Sequence, residues 1–77
     1  MKYYKLIGKD KQDYDLLEYI IYIKLNNNNN NIESIHIYLE TDWGIYYDYE
    51  WYIKFNHLFI HEEISEYDYN LIKMKLL

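Results

Sequence analysis

The stretch that decides the fold is residues 34–55, which reads SIHIYLE at 34–40, TDWG at 41–44 and IYYDYEWYIKF at 45–55. In the first part, aliphatic residues at 35, 37 and 39 alternate with more polar ones. In the last part, every odd-numbered position is aliphatic or aromatic. Alternation with a period of two is typical of a β-strand that packs one face on a core. We therefore predict two antiparallel strands, 34–40 and 45–55.

A tight turn is predicted between these strands at Thr41–Gly44, where Gly44 would supply a positive φ angle. The alternation then assigns one set of side chains to the core and the other to solvent. The predicted solvent face carries His36, Tyr38, Glu40, Tyr46, Asp48, Glu50 and Tyr52, with Lys54 at one end.

The segments on either side predict further strands. Lys2–Ile7 reads as a short strand ended by Gly8, and Leu58–His61 as another. Leu16–Leu25 has apolar residues on both faces of either template, so its Ile and Tyr content favours a strand while a helix remains the alternative. The six consecutive asparagines Asn26–Asn31 read as a flexible loop that joins two antiparallel strands.

The C-terminal residues change period and predict a helix over Glu66–Leu76. Ser65 is a suitable N-cap, and Asp68 follows three residues later as in a capping box. Acidic residues come first in this segment and Lys73 and Lys75 come last, which suits the helix dipole.

These elements make an α+β fold in a single domain, residues 1–77. We predict a small antiparallel β-meander of four to five strands with one C-terminal helix packed on its apolar face. A chain of 77 residues without disulfides is marginally stable alone. Formation of a homodimer is a natural source of additional stability.

Composition excludes several classes of function. The formal net charge is −5, which disfavours direct binding to the phosphates of a nucleic acid. The absence of Cys excludes disulfide scaffolds and Cys-based zinc modules. No uninterrupted apolar run reaches the length of a membrane span, so we expect a cytoplasmic protein without membrane contact. Lys without Arg, Ile without Val, and abundant Asn and Tyr indicate an AT-rich genome.

Residues that could carry chemistry have plainer interpretations. His57 and His61 would share a face only on a helix, and we expect a turn and a strand there, so no metal site is predicted. Asp48 and Glu50 could pair as acid and base, but a small single sheet rarely forms the concave site that catalysis needs. We therefore predict neither an enzyme nor a cofactor.

Negative charge is concentrated in the middle of the chain. Residues 26–50 carry five carboxylates and no Lys. Tyrosine is enriched at binding interfaces, and acidic groups among tyrosines suit a basic partner. The predicted partner-binding residues are Tyr38, Glu40, Asp42, Trp43, Tyr46, Asp48, Glu50 and Tyr52. The alternative is a solvated sheet face whose tyrosines only reflect strand propensity.

The chain resembles small phage-encoded inhibitors of the anti-CRISPR and anti-restriction type in being short, acidic and without a cofactor. The resemblance is one of composition and carries no residue over. It implies a binding protein that blocks the basic, nucleic-acid-binding surface of a host defence enzyme, acting in the host cytoplasm. The alternatives are an assembly protein that forms a homo-oligomer through its sheet and a regulator that contacts nucleic acid through its N-terminal lysines.

Overall fold

One antiparallel sheet with a helix on each face forms the described part of the chain, which is residues 1–9, 20–26, 28–39 and 42–76 of a computed structural model. The strands and helices are, in order, β1 (Lys2–Gly8), β2 (Ile20–Asn26), β3 (Asn31–Leu39), β4 (Asp42–Tyr46), α1 (Tyr49–Phe55), β5 (Phe59–Ile64) and α2 (Glu66–Leu76). A 3₁₀ turn, Asn56–Leu58, joins α1 to β5.

The strand order in the sheet is β4-β3-β2-β1-β5, and all neighbours are antiparallel. The first four strands form the predicted meander. The chain then crosses back, so that β5 pairs with β1 and the sheet ends in β4 on one side and β5 on the other. The predicted α+β class, with an antiparallel sheet and a C-terminal helix, is confirmed. The structure adds a second helix, α1.

The main cluster of buried apolar residues lies between the sheet and α1, whereas the buried Ile35 lies on the opposite face. Alternate residues of the central strand β2, beginning with Ile21 and Ile23, point to the face covered by α1 and are fully buried. Their partners in register include Leu6 of β1 and Ile32 of β3. The aromatic residues of α1 pack over this aliphatic layer. We call this side of the sheet the core face.

The predicted strand 45–55 is wrong beyond Tyr46, because residues 49–55 form α1. The Asp48 side chain accepts a hydrogen bond from the Trp51 backbone N–H at 3.1 Å and caps the helix. At the other end, the Asn56 side-chain amide donates to the Tyr52 and Ile53 carbonyls at 2.9 and 3.0 Å. Side chains therefore bind backbone groups at both ends of α1 that have no partner within the helix. These caps stabilise the helix against the strand that local propensity favours.

The predicted turn Thr41–Gly44 is also wrong, because β4 already begins at Asp42, which pairs with Leu39. Residues 40 and 41, between these partners, lie outside the described residues. Gly44 has no positive φ and lies within β4 opposite His36. A Cβ atom at this position would lie 2.8 Å from the end of the Tyr46 side chain, so a larger residue would require that exposed ring to move.

Other sequence predictions are confirmed with small shifts. The ambiguous segment Leu16–Leu25 is a strand from Ile20 onward, and its residues 16–19 lie outside the described part. The asparagine tract does join two antiparallel strands, with Asn26 and Asn31 as their last pair. Within the turn, Asn30 has a φ of 55° and the Asn26 side chain accepts from the backbone of Asn28 at 3.1 Å.

The helix α2 matches its predicted bounds, and Ser65 caps it by accepting the Asp68 N–H at 3.0 Å. It packs on the face opposite the core face, through the buried Tyr69. The Tyr69 hydroxyl donates to the Glu33 carboxylate at 2.7 Å, and the Lys73 ammonium donates to the same oxygen at 2.9 Å. The Tyr3 ring lies 5.3 Å from the Tyr69 ring. No helix in the described ranges is long and apolar enough to cross a bilayer.

The contact of α2 with the sheet sets the ionisation of both partners. Burial alone would raise the pKa of the Glu33 carboxyl, but hydrogen bonds from Lys73 and Tyr69 and the charges of Lys73 and Lys24 hold it below its ordinary value. Burial, together with the bond to Glu33, raises the pKa of Tyr69. The carboxylate and the neutral phenol are therefore both stable at neutral pH.

Replacing Tyr69 by Phe removes only the hydroxyl, and we expect it to lower the free energy of unfolding by about 1–2 kcal/mol, because a buried bond to a charged acceptor is lost. Tyr67→Phe is the matched control on the same helix, where the side chain is 73 % exposed, and it should change stability by less than about 0.5 kcal/mol. Urea unfolding measures both. Equal effects of the two substitutions would contradict this docking of α2.

Candidate partner-binding surface and its pocket

The predicted partner-binding residues do not share one sheet face, because α1 folds over part of it. Asp42, Trp43 and Tyr46 lie on the edge strand β4, and Asp48 and Glu50 lie at the start of α1. Tyr38 lies at the end of β3 beside a bulge, and Glu40 lies outside the described residues. The prediction of a continuous solvent face on a long hairpin is therefore wrong.

Tyr52 and His36, both expected on the solvent face, are turned inward. The Tyr52 hydroxyl is hydrogen-bonded to His61 Nε2 at 3.0 Å, and its ring packs against the core. Burial raises the pKa of Tyr52, with smaller contributions from Tyr4 and Tyr49. Tyr52 therefore stabilises the contact between α1 and β5 and is not part of the exposed acidic surface.

Five of the predicted residues lie along β4 and the start of α1 and are exposed. They are Asp42, Trp43, Tyr46, Asp48 and Glu50, and we call this surface the acidic edge. It contains three carboxylates, and Lys54 of α1 lines the same groove as Asp48 and Glu50. Tyr46 is 53 % exposed. Tyr47, which the alternation assigned to the core side, is 69 % exposed and lines a different groove with Lys24 and Glu33.

The backbone of β4 adds a second kind of binding group. Because β4 is the last strand of the sheet on this side, its outer backbone groups have no neighbouring strand among the described residues. Such an edge can accept an extended segment of another chain. The acidic edge thus combines carboxylates, aromatic rings and an open strand edge.

A pocket of about 230 Å³ opens beside the acidic edge, between β3, β4 and the first turn of α1. It is lined by Ser34, His36, Tyr46, Asp48 and Trp51. The Tyr46 and Trp51 rings meet the His36 ring edge-to-face, with centroids 4.9 and 5.0 Å away. The two aromatic rings therefore flank the imidazole, and the Asp48 carboxylate lies at the exposed side.

The Ser34 hydroxyl and the His36 ring form a structural pair on the pocket wall. Ser34 Oγ donates to the Tyr46 carbonyl at 3.3 Å, and His36 Nε2 lies 3.1 Å from the same Oγ. Whether Nε2 donates to Ser34 or accepts from it depends on which ring nitrogen of His36 carries the proton.

Burial lowers the pKa of the His36 ring to about 4. The ring is therefore neutral at pH 7 and a weak base. Ser34 is itself buried, so the pair holds β3 to the end of β4 and leaves the pocket without a positive charge from histidine.

The other histidines lie apart in the fold. His57 is in the 3₁₀ turn and His61 is in β5, as the sequence analysis expected. No group of three His, Asp or Glu side chains in the described ranges is arranged to hold a metal ion.

Sequence reasoning missed the pocket because it assigned Trp51 to the core face of a strand. The available signal was Asp48 three residues before Trp51, which is the spacing of an N-cap, together with Asn56 at the end of the segment. A helix over this segment brings Trp51 back over β3, next to His36.

Replacing His36 by Gln should flatten the acid dependence of stability. The folded-state pKa lies below the ordinary value of 6.5. Between pH 6.5 and pH 4 the unfolded chain therefore binds a proton that the folded chain does not, and stability falls as the pH falls. We expect the wild-type free energy of unfolding to drop more steeply than that of His36→Gln, by up to about 1.4 kcal/mol per pH unit. Urea unfolding from pH 7 to pH 4 measures this, and parallel curves would contradict the buried neutral ring.

No protein-family profile, curated protein or solved structure matches this chain.

Proposed function

We propose that this protein is a non-catalytic binding protein whose acidic edge docks onto a basic surface of another protein. The observation that carries the proposal is the acidic edge itself, where Asp42 and Tyr46 of the open edge strand β4 and Asp48 and Glu50 at the start of α1 are all exposed. Residues 42–54 carry three carboxylates and one lysine, Lys54, and this excess of negative charge favours a positively charged partner.

The physical roles within the acidic edge differ. The carboxylates of Asp42, Asp48 and Glu50 attract a basic partner over several ångströms and speed its capture. Trp43 and Tyr46 supply large, rigid contact areas with a polar tip, which is what interface hot spots use. The β4 backbone can add hydrogen bonds to an extended segment.

The partner class follows from the charge. Strongly basic protein surfaces in cells bind nucleic acids, so an acidic protein that covers such a surface competes with DNA or RNA. We propose that the partner is a nucleic-acid enzyme and that the protein acts as a small inhibitor of a host defence enzyme, of the anti-CRISPR or anti-restriction type.

A triple variant, Asp42→Asn, Asp48→Asn and Glu50→Gln, tests the acidic edge without removing the helix cap, since Asn caps as well as Asp. The matched control is Glu62→Gln, Glu66→Gln and Asp68→Asn, which makes the same change in net charge on β5 and α2. Both are compared with the wild type in affinity capture from lysate of a low-GC bacterium, eluted with a salt gradient.

We expect the wild type and the control to retain the same basic nucleic-acid enzyme. We also expect added DNA or RNA to displace that enzyme. The acidic-edge variant should bind at least about tenfold more weakly, since three interfacial charges together contribute more than about 1.4 kcal/mol. Equal retention of that enzyme by all three proteins would contradict the proposal. Recovery of only the protein itself, with light scattering showing a stable oligomer, would favour self-assembly through the sheet edges.

A further inference from the structure

We propose that the pocket beside the acidic edge binds the guanidinium side chain of one arginine of the partner. The inference rests on the proposed function, because it names the group of the basic partner that enters this surface. It is carried by the pocket's shape and by the kinds of side chain that line it.

The walls suit a planar cation. The Tyr46 and Trp51 rings both line the pocket, and each meets the His36 ring edge-to-face, with centroids 4.9 and 5.0 Å away. Guanidinium groups stack on aromatic rings, and tryptophan is the strongest cation–π partner. The aliphatic stem of an arginine also gains from contact with these rings, since long cationic side chains bury their stems on apolar surface.

The negative charge of Asp48 at the pocket also suits a guanidinium group. The Asp48 carboxylate lines the pocket and uses Oδ1 to accept the Trp51 N–H. A carboxylate has about four acceptor positions, so the cap leaves capacity for a second donor. A guanidinium presents several N–H donors in a planar fork that matches a carboxylate.

None of the described residues that line the pocket repels a cation. They include no Lys, and His36 contributes a neutral ring at pH 7. The volume of about 230 Å³ is below the roughly 300–1,000 Å³ of sites for drug-sized ligands. A single side chain is therefore a better match for this pocket than a free metabolite.

The occupant comes from a different protein. The chain contains no arginine, so a second copy can supply only lysine. An arginine in the pocket therefore distinguishes binding of a partner from self-association.

The test uses N-acetyl-arginine amide as the probe and N-acetyl-citrulline amide, which has the same shape without charge, as its control. The readout is the indole N–H signal of Trp51 in ¹H–¹⁵N NMR spectra of the full chain. Trp43 is an internal reference, because it precedes Gly44 on β4 and so lies on the face opposite His36.

We expect the arginine probe to shift the Trp51 signal saturably and to shift the Trp43 signal little. The citrulline probe should shift neither signal appreciably. Asp48→Asn, which retains a capping side chain, should raise the dissociation constant about fivefold or more, because a charge-assisted pair is lost. Glu62→Gln, which lies on β5 outside both the pocket and the acidic edge, should leave it unchanged.

Three results would overturn the inference. These are equal shifts of both indoles, equal binding of citrulline, and an unchanged dissociation constant in Asp48→Asn. A lysine probe that binds as tightly as arginine would overturn the assignment to arginine. If the probe fails while the triple variant still loses its partner, the acidic edge stands and only the pocket inference fails. If the probe binds while the triple variant retains its partner, the pocket accepts a guanidinium group but the acidic edge is not the docking surface.

Discussion

The hydrogen bond from the Trp51 backbone N–H to the Asp48 carboxylate is the interaction on which the rest of the structure depends. It begins a helix where the chain would otherwise continue as an edge strand, two residues after β4 ends. The aliphatic layer on β1, β2 and β3 needs a cover, because a sheet face this apolar is costly to leave in water. The aromatic side of α1 supplies that cover, and the chain then enters β5 on the far side of the sheet.

The same change of direction assembles the candidate site. Because α1 crosses back over the sheet, Trp51 reaches His36, and the first turn of the helix closes a pocket against Tyr46. Gly44 allows the Tyr46 ring to lie close against β4, since a Cβ atom at this position would require the ring to move. The acidic edge and the pocket are thus consequences of how the core is covered, and their carboxylates remain at the surface because α1 buries only its inner side.

Much of the sheet and the whole of α2 could be predicted from local signals. Ser65 is an N-cap residue that predicts the start of α2, and the alternation in β3 predicts a strand. The helix α1 could not be predicted in this way, because its residues satisfy two periods at once. Tyr49 with Tyr52 and Trp51 with Phe55 have helical spacing, while the odd positions also alternate as in a strand. Tertiary contact with the aliphatic layer and caps at both ends favour the helix. Asp42, Tyr46, Asp48 and Glu50 are exposed whether residues 49–55 form a strand or a helix. The placement of His36 and Tyr52 depends on which of the two forms.

The most direct test of this account is NMR assignment of residues 45–58, with backbone secondary shifts and contacts of the Trp51 ring. The account predicts helical Cα shifts from Tyr49 to Phe55 and nuclear Overhauser contacts from the Trp51 indole to His36 and Phe59, whose rings lie 5.0 and 6.1 Å away. Extended shifts that continue from Ile45 to Phe55, without these contacts, would show that β4 runs on as a long strand. The pocket would then not exist.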